Sequence, residues 1–474
     1  MENFLIKSKT IPFQHQIDGV KFGTTHTSWL LADSMGLGKS RQAIDIGVYN
    51  KEHRGYKHCL IVCGINSLKW NWYNEITTHS YEAGYILGQR TNRKGKITIG
   101  SIKQRIEDLK RITELPYFLI TNIESFRDTE FATLVKNLCK TEIQMCVIDE
   151  AHTLRTPTCQ QTKGFLSCNT EYKLAMTGTP IMNRPLDLYS ILKWLGYESH
   201  NYYAFKNHYC VMGGFGGHEI VGYRHLDQLS NITRNIMLRR LKEDVLDLPE
   251  KIYVDEIVEM TNKQSKLYDD VLKSIMDNID KIRLSRNLLV SIVRLRQCTG
   301  FTGILSSEIQ ESAKLDRLVE LVEEASINNS KCIVYSNWTQ ITDIVVNRLK
   351  KFNPAYITGA VSEEKRNAEK QRFNTDPNCM CIVGTISSMS TGHNLQAATT
   401  VIFLDHPWTR AAYDQAVDRA HRIGQTKNIT VYNLMCKDTI DYRVWQIMNR
   451  KGVMSEAMLD NPINNLNMLE FLLH

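Results

Sequence analysis

The stretch Ser28–Ser40, SWLLADSMGLGKS, closes with a lysine and a hydroxyl behind two glycines, Gly36 and Gly38. That spacing suits a phosphate-binding loop. Backbone N–H groups wrap phosphate oxygens, Lys39 neutralises β- and γ-phosphate charge, and Ser40 holds Mg²⁺ at the start of a helix. The general pattern wants a glycine five residues before Gly38-Lys39, where this chain has Asp33. Alone, the stretch fits equally a glycine-rich turn before an ordinary amphipathic helix. A second group lies downstream: Asp149-Glu150-Ala151-His152 follows the apolar run MCVI. Its carboxylates fall at the carboxyl end of a strand, where open α/β sheets bind ligands. There Asp149 can share Mg²⁺ with Ser40, and Glu150 can orient and activate a water. The bland alternative is acidic residues favouring a helix dipole. Near the other end, QAVDRAHRIGQ spaces Arg419 and Arg422 at i, i+3. On a helix they share one face and could reach a γ-phosphate, although a solvated basic helix has the same pattern.

These residues need strands to deliver them. SWLLA, CLIVCG, YFLITN, MCVIDE and KLAMTGTP are short β-rich runs, each followed by polar or helix-like sequence. Strands spaced this way predict a parallel sheet with helical crossovers. From about Thr261 to Glu324 the periodicity is helical, and then KCIVYSN, MCIVGT, TVIFLDH and ITVYNLM restore the strand-then-helix rhythm. GGFGGH, at 213–218, reads as a loop without a phosphate role, because no lysine follows it. The expected fold is α/β: two parallel-sheet lobes with helical insertions.

Composition sets the class. At 474 residues the chain is too long for one core, and its 42% hydrophobic and 23% charged residues are those of a globular protein. The net charge of +7 permits a basic groove without demanding one. Twelve cysteines are scattered without a C-x-x-C pair, several inside apolar runs, so the expectation is reduced thiols, an intracellular setting and no zinc. No apolar stretch is long enough to span a bilayer, and MENFLIKSKTIPF lacks a signal-peptide core.

Taken together, these motifs resemble the superfamily-two ATPases of the Swi/Snf type, DNA translocases that include chromatin remodellers and their bacterial and viral relatives. HQIDGVKF is similar to the family's glutamine motif, which makes Gln16 the adenine reader. LADSMGLGKS resembles its phosphate loop, Asp33 to Ser40 with Met35 and Leu37, where an Asp regularly replaces the first glycine. CGINSLKWNWYNEI and LITNIESF resemble DNA-contacting and DEAH-leading segments, and MTGTPIMNRPLDLYSIL resembles the coupling motif centred on Thr177, Gly178 and Thr179. MLRRLKEDVLDLPEK is similar to the lobe-joining sequence, and RLRQCTGF, ESAKLDRLVELV and CIVYSN to the approach to the second lobe. PWTRAAYDQAVDRAHRIGQ resembles the sixth motif. Departures are Ser34 for the usual Glu, Ser40 for Thr, and SSMSTGHNLQAA, which keeps Gly392 but has Met389 and Ser390 for glycines.

The resemblance implies two RecA-like lobes, 1–250 (with a helical insertion about 185–240) and 331–474, joined by a helical linker 251–330. It implies ATP and Mg²⁺ as cofactors, coupling through His152, Thr177, Gly178, Thr179 and Gln415, and nucleotide contact at Gly392. It also implies contact with double-stranded or branched DNA through Ser67, Lys69, Asn122, Arg155 and Trp408. Trp70 and Trp72 read as packing residues. The picture is a bare, monomeric motor of phage, viral or bacterial type. An RNA helicase, a restriction-type motor subunit and a nonenzymatic nucleic-acid clamp are the alternatives.

Overall fold

The computed structural model describes residues 7–64, 68–91, 97–178, 184–213, 219–246, 248–277, 288–389 and 394–449. The chain divides into two units, Met1–Leu246 and Asp247–His474. The first is built on a sheet of seven strands in the order Met237–Leu238, Ser28–Leu31, Tyr172–Met176, Ile143–Asp149, His58–Cys63, Phe118–Asn122 and Gly84–Ile86. Every neighbouring pair is parallel.

The apolar runs explain the arrangement. His58–Cys63 is buried at every position. Its side chains alternate, Leu60 and Val62 packing into one hydrophobic cluster while Cys59, Ile61 and Cys63 enter another. A strand covered on both faces needs a continuous apolar run, and parallel pairing places its crossover helices there. The helix Lys39–Arg54 is one of them, ending at Gly55 in the left-handed region. Between 185 and 240 the expected helices Tyr189–Leu195, Tyr202–Tyr209 and Leu226–Ile236 occur, together with an antiparallel hairpin of Cys210–Gly213 and Glu219–Tyr223.

In the second unit six strands follow the order Lys251–Val258, Ile429–Cys436, Ala398–Phe403, Lys331–Ser336, Cys381–Thr385 and Ala355–Ile357, again parallel throughout. The segment 251–330, read from sequence as a helical linker, therefore opens with a strand. Lys251–Val258 pairs with Ile429–Cys436 over eight registered positions, and the helices Asn262–Asp277, Leu288–Gly300 and Ala313–Ile327 follow it. Only one side of this edge strand is covered, so it has no fully buried position and its apolar signal is diluted. Among the described residues no helix is long and apolar enough to cross a membrane.

Candidate nucleotide site

In the first unit the loop after Ser28–Leu31 feeds directly into the helix Lys39–Arg54. Gly38 sits at φ 73°, a conformation that favours glycine, and a Cβ there would displace the Gln16 amide. Gln16 is seated against the loop. Its Oε1 accepts from the Phe13 N–H at 3.0 Å, and its Nε2 donates to the Leu37 carbonyl at 3.3 Å. The Lys39 ammonium curls over the same loop, donating to the carbonyls of Asp33 at 2.8 Å and Ser34 at 3.4 Å. Ser40 is the second residue of the helix, half-buried as is Met35.

Asp33 has its carboxylate taken up inside the protein. Its side chain is fully buried, and Oδ1 accepts from the backbone N–H and Nε of Arg240 at 3.1 and 3.0 Å. Oδ2 accepts from Arg240 Nη2 at 2.5 Å and Gln42 Nε2 at 3.0 Å. A carboxylate aimed at phosphates would repel them. Here it ties the loop to the segment that follows strand Met237–Leu238.

Asp149 ends the strand Ile143–Asp149, two places along the sheet from Ser28–Leu31. Its Oδ1 accepts from the Glu150 N–H at 2.9 Å, and its Oδ2 accepts from the indole N–H of Trp72, also at 2.9 Å. Burial and the adjacent Glu150 carboxylate push Asp149 up to about 6, against the opposing pull of the Trp72 bond and the Lys39 charge. Glu150 takes φ 52°, a left-handed conformation that costs a residue with a Cβ about 1–3 kcal/mol and that clusters at functional sites. The turn lifts its carboxylate beside His152, whose Nδ1 lies 3.2 Å from Glu150 Oε2 and 3.2 Å from Thr177 Oγ1. Thr177 is fully buried and bonds Leu31 O through its N–H at 3.1 Å. A Cβ on Gly178 would stand 2.7 Å from Met35 Cγ and 3.6 Å from Lys39 Nζ, so the coupling motif lies directly on the phosphate loop. The structure thus brings Gln16, Met35, Gly36, Leu37, Gly38, Lys39, Ser40, Asp149, Glu150, His152, Thr177 and Gly178 into one neighbourhood. Ser67, Thr179 and Gly392 lie outside the described residues.

The nucleic-acid candidates divide. Arg155 is exposed at the end of the turn Ala151–Arg155. Lys69 is only 3% exposed, and Asn122 only 5%. The Asn122 Oδ1 accepts from Arg105 at 2.6 Å and Ser125 at 3.1 Å, while its Nδ2 donates to Glu124. That amide is a framework group in this structure, because the polar run TNIES folds back on itself.

In the second unit the helix carrying Gln415 spans Arg410–Val417. The expectation that Arg419 and Arg422 share a helix face is therefore corrected: both follow the helix, in tight turns. The Arg419 N–H bonds Ala416 O at 3.3 Å, and the Gln425 N–H bonds Arg422 O at 3.0 Å. Gly424 at φ 96° takes the left-handed turn after Arg422, and Gln425 Nε2 pins that turn to Gln396 O and Ala398 O at 3.0 and 2.9 Å. Arg419 is buried and Arg422 half-buried. Trp408 lies under Arg296, with the guanidinium 4.6 Å from the ring centroid. Arg296 also donates to His406 O at 2.5 Å. Beneath them Lys314, fully buried, donates to Leu404 O and Asp441 at 2.8 Å each and stands 3.7 Å from Asp405. Burial holds the His406 imidazole down to about 3.

Comparison with known proteins then fixes the affiliation. The SNF2-related domain matches residues 15–302, well over half of the chain, and the helicase conserved C-terminal domain matches residues 313–424. The chain belongs to the SNF2-related family. Among its relatives, the "Uncharacterized ATP-dependent helicase" of Mycoplasma pneumoniae is 30% identical over 95% of this chain and 42% of its own length. The bovine "DNA annealing helicase and endonuclease ZRANB3" is 25% identical over 96% of this chain and 41% of its own. The SNF2-related chain thus spans less than half the length of these two relatives. Among solved structures, the Sulfolobus solfataricus SWI2/SNF2 ATPase core in complex with dsDNA aligns over 99% of this chain and 97% of its own at 24% identity, with a TM-score of 0.43.

Sequence reasoning missed two residues of this SNF2-related site. Arg240, in MLRRLKEDV, is the partner that the buried Asp33 required, and its signal was a basic pair directly after a short apolar run. Trp72, read as packing alone, is indeed 2% exposed, yet its single polar atom is spent on Asp149. A tryptophan can fill a core and present one donor, which its type alone does not reveal.

Proposed function

We propose that this SNF2-related chain hydrolyses ATP and uses the cycle to move along double-stranded DNA. The observation that carries this reading is the convergence of Lys39, Asp149 and the Glu150–His152–Thr177 relay on one glycine loop at the carboxyl ends of adjacent parallel strands. The donor set fits a nucleotide with a divalent cation: an ammonium on carbonyls that phosphate oxygens can replace, a hydroxyl at a helix start, and an oriented carboxylate. Lys39, Ser40 and Asp149 would hold Mg²⁺-ATP, the metal supplying charge neutralisation across the β- and γ-phosphates. Glu150 aligns the attacking water and accepts its proton, while His152 and Thr177 report the state of that carboxylate, with Gly178 and Thr179, to the rest of the coupling motif. Gln16 reads the adenine edge. Arg419 and Arg422 add positive charge to the γ-phosphate, Gln415 takes part in coupling, and Gly392 contacts the nucleotide.

The substrate assignment draws on the family and on the named activities of its relatives. Duplex or branched DNA is held mainly through phosphates, so binding is salt-sensitive and sequence-tolerant. Arg155 makes the solvent-facing contact, with Ser67 and Trp408 as further candidates, while Lys69 and Asn122 are held inside. The motor acts as an intracellular monomer.

One assay tests the reading: ATP turnover by the full chain with duplex DNA, single-stranded DNA, RNA or no nucleic acid. Duplex should stimulate most, and Lys39→Ala and Glu150→Gln should each abolish turnover, the second while still binding ATP. Stimulation by RNA alone points to the helicase alternative, and no turnover under any condition points to a clamp.

A further inference from the structure

We propose that Trp72 is a positioning residue for the metal-binding carboxylate: its indole N–H fixes the rotation of Asp149, so that the side chain is aimed before a cation arrives. The inference rests on the reading of Lys39, Ser40 and Asp149 as the Mg²⁺-ATP site, and it assigns a role to a residue outside that set.

The geometry is specific. A carboxylate at a strand end can rotate about its terminal torsion, which is broad and roughly two-fold. In this chain both oxygens are held from fixed directions. Oδ1 accepts from the Glu150 backbone N–H and Oδ2 from Trp72 Nε1, each at 2.9 Å. The two donors come from different elements: Glu150 opens the turn after the strand Ile143–Asp149, whereas Trp72 belongs to the helix Leu68–His79. Each oxygen keeps a further lone pair for a cation, since a carboxylate offers about four acceptor positions.

The donor itself is rigid. Trp72 is 2% exposed, packed in the same cluster as Leu68, Ile76 and Met176, so the indole cannot swing away without opening the core. It carries one polar hydrogen, and that hydrogen is committed to Asp149. Tying a metal-binding carboxylate to a neighbouring donor is a common way to tune a metal site, and removing such a partner typically costs 10–100-fold in metal affinity. A second consequence follows from where the indole is mounted. Any displacement of the helix Leu68–His79 drags on Oδ2, so the aim of Asp149 depends on that helix.

The test uses the full chain with Trp72 replaced by β-(3-benzothienyl)alanine, which keeps the bicyclic shape and loses only the N–H, and with Trp72→Phe as a second variant. Binding of a fluorescent ATP analogue is titrated with Mg²⁺ and, separately, in excess chelator, and the Mg²⁺ dependence of turnover is measured alongside. Expected is a rise of roughly tenfold or more in the Mg²⁺ concentration needed for half-maximal analogue binding, with metal-free binding unchanged. Unchanged Mg²⁺ dependence in the isosteric variant overturns the proposal. So does an equal loss of binding with and without metal, which marks Trp72 as packing alone. If the unmodified chain itself binds the analogue without regard to Mg²⁺, the fault lies in the reading of the site and not in the role of Trp72.

Discussion

The pairing of Asp33 with Arg240 makes a quantitative claim about why the phosphate loop has an aspartate where a glycine is usual. The carboxylate is fully buried, the guanidinium is 14% exposed, and four protein donor contacts converge on the two oxygens. Arg240→Ala removes three of those four contacts, or two if the backbone N–H keeps its place, and leaves a buried anion with Gln42 as its main partner. Stranding one partner of a buried pair costs about 3–5 kcal/mol. Asp33→Gly restores the general loop pattern and strands only the arginine, which has a route to water, so its cost is smaller, about 1–3 kcal/mol. In the double variant the Arg240 loss no longer leaves a buried charge. The two effects then fall short of additivity by about 1–3 kcal/mol. Urea unfolding of the four proteins followed by tryptophan fluorescence measures this cycle, with ATP KM recorded in parallel. An anchoring Asp33 predicts strong coupling in stability and parallel changes in KM for both single variants. Additive stabilities, with KM altered by Asp33→Gly alone, would refute the reasoning and return Asp33 to the nucleotide.

Other consequences are as concrete. Lys314→Met leaves Asp441 and Asp405 buried without their cation and should destabilise the second unit by about 3–5 kcal/mol. Its pH dependence should also change sign. Burial raises Asp441, but Lys314 outweighs burial and holds it below the usual carboxylate range, so the native chain loses this stabilisation only as pH falls below about 4. In the variant, protonation relieves the stranded Asp441 carboxylate and the deficit should shrink on acidification; a constant deficit between pH 3 and 7 contradicts the assignment. At the other site, Asp149 is raised to about 6, so a proton competes with the cation below that pH. The Mg²⁺ needed for half-maximal nucleotide binding should climb roughly tenfold per unit below pH 6 and level off above it, and a flat profile from pH 5 to 7 would exclude the competition. Arg422→Ala should lower duplex-stimulated turnover by roughly a thousandfold or more with ATP binding nearly intact. A small change there would shift the role to Arg419.

Much of this was legible in the residues. Runs such as HCLIVC and QMCVID had to be doubly covered strands, and parallel pairing then set GLGKS and DEAH at the same edge of the sheet. What escaped was long-range or locally ambiguous. Arg240 reaches Asp33 across 207 positions of sequence, and nothing local announces the pairing. Lys251–Val258 has no fully buried position, as suits an edge strand, so its apolar signal is weak and the three helices after it dominate the pattern. Arg419 and Arg422 kept helical spacing in the sequence, but the helix closes at Val417 and tight turns carry both arginines. Lys69 and Asn122 have the chemistry of surface contacts, and only burial shows that this structure holds them inside.

The eight-rung pairing of Lys251–Val258 with Ile429–Cys436 also has a mechanical meaning. The boundary at Leu246 and Asp247 lies just upstream of that strand, so any tension passed along the backbone from the first unit enters the second through its edge. A pull directed along the strand loads the rungs in shear, all at once, whereas a peeling force would break them singly. The attachment therefore resists a pull along the strand far better than a peel, and such a load can be carried without unravelling the sheet it enters.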